Sequence, residues 1–154
     1  MPTRTPYTST ALEVLTSANL EKYPKGWYGY ATSTSAQTGI TTVETDVTGL
    51  SLSITLGANR LVEVFASVHA LSSVDQDNLR LRLYRDATVV GSYNFELDTL
   101  TTTAQGMALD VGPSAGTYTY KATIVRVGGS GNIDTTASAT SPNLLLVRDI
   151  GPSS

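Results

Sequence analysis

Beyond Gly26, apolar side chains recur at every second position through most of the chain, the period of a strand with one buried face. Residues 60–71 hold this pattern longest. Val62, Val64, Ala66, Val68 and Ala70 alternate there with Leu61, Glu63, Phe65, Ser67, His69 and Leu71. Residues 79–85 repeat it, with Leu79, Leu81 and Leu83 set against Arg80, Arg82 and Tyr84. Residues 114–127 form another two-faced strand. Tyr118, Tyr120, Ala122 and Ile124 share one side, and Thr117, Thr119, Lys121, Thr123, Val125 and Val127 share the other. Further strands are expected over 26–32, 41–47, 50–56, 89–97, 104–111, 131–139 and 143–150, with Gly91 as a bulge site. Thr48-Gly49, Gly57-Ala58-Asn59, Asp86-Ala87-Thr88 and Gly112-Pro113 supply turn chemistry between them, the second of hairpin type. Residues 144–147, Leu-Leu-Leu-Val, are apolar on both faces. They belong in the middle of a sheet or against a partner.

These ten segments, read as eight or nine strands on short turns with no helical period after residue 24, predict an all-β fold. Two antiparallel sheets must each bury one face, which makes a jelly-roll-like β-sandwich the expected solution. A seven-stranded fibronectin-like or immunoglobulin-like sandwich is the alternative; strand number and length favour the jelly roll. Residues 1–25 break the pattern. The first ten are polar, contain Pro2 and Pro6, and read as an extended arm. A short helix follows, capped by Thr16 or Ser17 and stopped by Pro24. Two turns of helix are not stable alone, so Leu12, Leu15 and Leu20 need burial, either on the chain's own barrel or on a neighbouring subunit. The chain thus divides into an arm at 1–25 and a sandwich at 26–154.

Composition narrows the function. The 154 residues fit one domain. The absence of cysteine excludes disulfides and thiolate metal sites, and a single histidine excludes a multi-histidine site. Charged residues make up only 15%, and Ser and Thr fill the deficit at roughly a quarter of the chain. The net charge of −3 and the scattered basic residues give no nucleic-acid footprint. No apolar run reaches membrane-spanning length. The first residues lack an apolar signal region, which predicts synthesis in a cytosol.

Candidate chemistry is sparse. His69 lacks the acid and the glycine-flanked serine that a catalytic triad needs; it reads as a satisfied histidine or a subunit contact. Residues 73–78, Ser-Val-Asp-Gln-Asp-Asn, resemble half of a calcium loop, without its glycine or closing glutamate. Gly128-Gly129-Ser130-Gly131 lies between strands and not before a helix, and is expected as a flexible hairpin tip. Trp27, Tyr28, Tyr30, Tyr118 and Tyr120 suit core or intersubunit packing better than a sugar platform. No enzyme, cofactor or metal is implied.

Several phrases occur in a recognisable order: residues 14–20 (Val-Leu-Thr-Ser-Ala-Asn-Leu), 24–27 (Pro-Lys-Gly-Trp), 37–41 (Gln-Thr-Gly-Ile-Thr), 46–50 (Asp-Val-Thr-Gly-Leu), 113–121 (Pro-Ser-Ala-Gly-Thr-Tyr-Thr-Tyr-Lys) and 145–152 (Leu-Leu-Val-Arg-Asp-Ile-Gly-Pro). In these the chain resembles small virion proteins of tailed phages that infect actinobacteria, a group of capsid decoration, head-fibre and minor tail proteins. The resemblance covers nearly the whole chain. It implies a β-sandwich acting as a structural module, often a homotrimer, without transferable catalytic residues. The expected role is a capsid decoration protein. It would be made in the host bacterial cytoplasm and carried on the outer capsid surface of the virion, with the major capsid protein as partner. A tail-tip or fibre module that binds a host receptor or glycan is the alternative. In the first role Tyr7, Leu12, Val14, Leu15, Leu20 and Tyr23 would bind the capsid. Phe65, His69, Leu71 and Leu145 would form the oligomer interface.

Overall fold

A computed structural model of the chain describes residues 26–153. The arm and its expected short helix lie outside the described residues. Nine strands occur among the described ones: β1 (Gly26–Ser33), β2 (Thr45–Leu56), β3 (Arg60–Ser72), β4 (Asp77–Arg85), β5 (Thr88–Leu97), β6 (Thr102–Val111), β7 (Gly116–Gly128), β8 (Ile133–Thr135) and β9 (Asn143–Pro152). They form two antiparallel sheets. One has the order β1-β9-β3-β6, with β8 added beside β3; the other has the order β2-β7-β4-β5. The chain passes repeatedly between sheets, and early strands pair with late ones. This is a jelly-roll-like sandwich.

Alternation builds the core as expected. Val62, Val64, Ala66 and Val68 of β3 are buried, as are Leu145 and Val147 of β9. Leu79, Leu81 and Leu83 of β4 and Tyr120, Ala122 and Ile124 of β7 are buried in the other sheet. Each such leucine contributes on the order of 2 kcal/mol by leaving water. The two-sided strand β9 lies between β1 and β3, the mid-sheet position its composition calls for.

Four local expectations are corrected. Residues 41–44 are irregular, and β2 starts at Thr45 and runs through Thr48-Gly49 as a bulge. Gln37 holds that bulge: its amide oxygen accepts from Thr48 N–H at 2.8 Å and its amide nitrogen donates to the Asp46 carbonyl at 3.0 Å. Gly57-Ala58-Asn59 turns a corner between sheets and does not close a hairpin, because β2 pairs with β7 and β3 pairs with β9 and β6. Only residues 133–135 of the expected 131–139 strand pair regularly. The Gly128-Gly131 turn likewise passes from one sheet to the other. It is wrapped on the buried carboxylate of Asp77, which accepts from Ser130 N–H at 2.8 Å and Gly131 N–H at 3.3 Å. Gly129 is at φ 86°, and a Cβ there would fall 1.7 Å from an Asp77 oxygen. This turn needs glycine because a carboxylate occupies the side-chain space.

Candidate functional site

The two outer faces of the sandwich differ in kind. On the four-stranded sheet, the outward positions carry hydroxyls and charges that satisfy one another. The connector before β2 is laced to β8 by paired backbone hydrogen bonds between Ile40 and Ile133, both 2.9 Å. It continues across the end of β7, where Arg126 N–H donates to the Thr41 carbonyl at 2.9 Å. This path sets Glu44 on the sheet, where it accepts from Arg82 at 2.6 Å, from the Tyr84 hydroxyl at 3.0 Å and from the Thr123 hydroxyl. Burial opposes ionisation of Glu44, yet these donors outweigh it and hold its carboxyl below the ordinary value. Lys121 pairs with Asp46 at 2.7 Å and lies 5.7 Å above the Tyr84 ring. Thr123 and Val125, on the face of β7 opposite Tyr120 and Ile124, are buried as well.

On the five-stranded sheet, the outward positions include a larger apolar share, and their cross-links are confined to Glu63–Arg148, His69–Thr103 and Ser67–Gln105 among the described residues. Register pairs Tyr30 with Leu146, Leu146 with Phe65, and Phe65 with Met107. These four residues form one row across β1, β9, β3 and β6, since directly opposed residues point to the same side. Leu109 and Val111 extend the apolar surface along β6. Tyr30 is 67% exposed, Met107 56%, Leu109 50% and Val111 66%. The charges beside this row cancel: Arg148 pairs with Glu63 at 2.7 Å, directly across the ladder. Beneath it, Asp149 is buried and accepts from Arg60 at 2.6 and 2.9 Å, from the Tyr28 hydroxyl at 3.1 Å and from Gly151 N–H at 2.9 Å. Burial and the Asp149 carboxylate push the Tyr28 phenol up to about 12. At the same end of the core, on the other side of Val62, Arg85 forks onto Asp110 at 2.6 and 2.8 Å, and the Tyr120 hydroxyl donates to the same carboxylate at 2.6 Å.

Of the residues expected at an oligomer interface, Phe65, His69 and Leu71 occupy the outward positions of β3 and are half-buried. Leu145 is corrected. It is 0% exposed in the core, because alternation along β9 turns Leu144 and Leu146 outward instead. His69 has its ring Nδ1 3.0 Å from the Thr103 hydroxyl and its backbone tied to Asn143 and Thr136. Its geometry is structural. Tyr7, Leu12, Val14, Leu15, Leu20 and Tyr23 lie outside the described residues. Sequence reasoning missed Tyr30, Leu146, Met107, Leu109 and Val111 as one surface. The signal lay in β6, where Ala104, Gly106 and Ala108 alternate with much larger Met107, Leu109 and Val111.

Three tyrosines of the aromatic set are tied into the fold. Tyr120 is buried and hydrogen-bonded, Tyr118 lies 5.2 Å under the Arg85 guanidinium, and Tyr28 is tied to Asp149. A cleft of about 410 Å³ opens between the β3–β4 and β5–β6 turns, lined by Asp75, Gln76, Glu96, Asp98, Thr99 and Leu100. Two of its acids serve the turn itself: Asp75 accepts from Thr99 N–H at 3.1 Å and Asp98 from Leu100 N–H at 3.0 Å. Asp77, within the calcium-like run, points into the Gly129 turn. Among the described residues, no group of three or more His, Cys, Asp or Glu is arranged to hold a metal.

No protein-family model and no curated protein sequence matches the chain. Solved structures of similar shape do exist. The CBM36-1 domain of a multidomain xylanase from the hindgut metagenome of Trinervitermes trinervoides is 13% identical with a TM-score of 0.42, over 77% of this chain and 94% of that one. The Eiger TNF of S. frugiperda is 10% identical with a TM-score of 0.45, over 83% and 96%. Infectious bursal virus derived T=1 particles give 16% identity and a TM-score of 0.43, over 84% of this chain and 36% of that one. At these TM-scores the likeness carries no argument about ligand, partner or activity.

Proposed function

We propose that this chain is a structural virion protein, a capsid decoration protein that binds the outside of the major capsid lattice and stabilises it. The observation that carries this reading is the unpaired apolar row Tyr30–Leu146–Phe65–Met107 with Leu109 and Val111. Apolar surface arranged this way marks a face for macromolecular contact. The phrase-by-phrase resemblance to small virion proteins of actinobacterial phages supports the setting. Stabilisation would come from burial across subunit junctions: a few hundred Å² of apolar contact per copy yields several kcal/mol, at about 25 cal/mol per Å², before ordering costs. Residues 1–25 supply the capsid anchor through Tyr7, Leu12, Val14, Leu15, Leu20 and Tyr23.

The test is co-sedimentation of the full chain with undecorated capsids of its phage. The wild type should bind to saturation, and Leu15→Asp/Leu20→Asp should lose most of that binding while keeping the β-rich circular dichroism of the wild type. Full occupancy by the double variant would sink the anchor. Binding to tail fibres or host glycan, with none to capsids, would favour the receptor-binding alternative.

A further inference from the structure

We infer that the outer face of the five-stranded sheet is where a second copy of this chain docks. This inference rests on the assembly reading above and names the partner at that surface. Three observations point to a copy of the same chain.

The first is electrostatic. Around the Tyr30–Leu146–Phe65–Met107 row the face carries no net charge, because Glu63 and Arg148 neutralise each other at 2.7 Å; Asp134, opposite Leu71, lies outside the row and accepts from Gly39 N–H at 2.7 Å. A face meeting its own kind must avoid opposing like charges, and this one does so. An acidic or basic partner would find nothing here to recognise.

The second is size. Four strands spaced about 4.8 Å apart, over some eight residues at about 3.4 Å each, outline a face on the order of 500 Å². Two such faces would remove about 1,000 Å² from water, the lower bound for a specific interface between proteins.

The third is the way the sheet edge is finished. Among the described residues, strand β6 pairs on one side only, with β3. On its other side the Tyr93 hydroxyl donates to the Met107 carbonyl at 2.5 Å. The Tyr93 ring fills the space over Gly106, where a Cβ would lie 2.4 Å from it. This part of the edge is capped against strand addition, so contact with a copy is directed onto the side chains of the face. Those side chains are of the kind enriched in interface centres: aromatic Tyr30 and Phe65, and Met107.

The proposal is tested by sedimentation of the full-length chain over a concentration range, beside capsid binding measured separately. The wild type is expected to sediment as an oligomer. Leu109→Lys and Met107→Lys are expected to shift it to the monomer mass. Both positions are at least half exposed, so the sandwich tolerates the change, and unchanged thermal melts of the variants verify this. Leu146→Glu, at the centre of the row, is expected to act in the same way. A wild-type chain that stays monomeric at every concentration would overturn the inference, as would a chain covered by its own residues 1–25. An oligomer that persists in both lysine variants would place the contact elsewhere and also overturn it. A monomer that still binds capsids leaves the decoration reading standing alone; an oligomer that ignores capsids leaves the docking face standing alone.

Discussion

The two outer faces of this sandwich are built by the same period-two alternation and end in opposite states. Over the four-stranded sheet, Glu44, Arg82, Tyr84, Thr123, Lys121 and Asp46 answer one another's charges and hydrogen bonds. That face is complete without a partner. Over the five-stranded sheet, Tyr30, Leu146, Phe65 and Met107 line up with one compensated ion pair beside them. Water gains nothing from that row, and the chain spends its polar bonds underneath it, on Asp149 and Arg60. The contrast separates a polar face that is satisfied within the fold from an apolar face that, on the reading proposed above, serves contact.

The largest test of this division concerns what lies under the apolar face. Asp149→Ala leaves the buried Arg60 guanidinium without that carboxylate, and stability should fall by about 3–5 kcal/mol, read from urea unfolding. A loss below about 1 kcal/mol, the range of exposed pairs, would mean that the five-stranded sheet is not held from inside. Next comes Asp77→Ala, which removes one acceptor of the Ser72 hydroxyl and unpairs two backbone amides of the Gly129 turn and should cost about 2–3 kcal/mol. Burial raises the Asp77 pKa, but the hydrogen bonds from Ser72, Gly131 and Ser130 together with Arg126 lower it more, so the folded value sits below the ordinary one. The stabilisation is therefore complete above the unfolded value of about 3.9 and is lost as pH falls below it. Wild type and Asp77→Ala should converge in stability as the solution is acidified through that window; a gap that widened there would reverse the assignment.

Gly106→Ala should cost about 1–3 kcal/mol by displacing the Tyr93 ring from the edge of β6, measured as a lowered melting temperature. The smallest effects separate the two faces most cleanly. Glu44→Ala should cost about 0–1 kcal/mol and leave self-association unchanged. Leu109→Lys should change monomer stability by no more than about 0.5 kcal/mol and abolish self-association. If both variants altered self-association alike, the distinction between the faces would be lost.

Much of the sandwich was legible from period alone. Residues 60–71 and 79–85 alternate so cleanly that their inward sets, Val62 to Ala70 and Leu79 to Leu83, are the buried ones. Arg60 shares the phase of Val62 and Val64 and is buried with them, a placement that alternation followed only through the apolar residues does not bring out. Pairing was not legible. The Gly57-Ala58-Asn59 and Gly128-Gly131 turns look like hairpins, yet in a wrapped sandwich consecutive strands join different sheets, and local turn chemistry does not encode that choice. The role of Glu44 was invisible because it sits in an irregular connector whose path is set by hydrogen bonds to residues 95 and 98 positions away, Gly39 to Asp134 and Gln37 to Thr135. The apolar row was half legible. Phe65 lies on a face that reads as outward, but its neighbours Tyr30, Leu146 and Met107 come from three other strands, and only register brings them together.

The central claim is that the outer face of the five-stranded sheet is covered in the assembled protein. Met107 reports on it directly, since Met1 is the only other methionine in the chain. Peroxide oxidation of Met107, followed by mass spectrometry of the full-length wild type at high concentration, should run several-fold slower than in the Leu109→Lys variant. It should accelerate to the variant's rate on dilution. Equal rates in both proteins at every concentration would contradict the account.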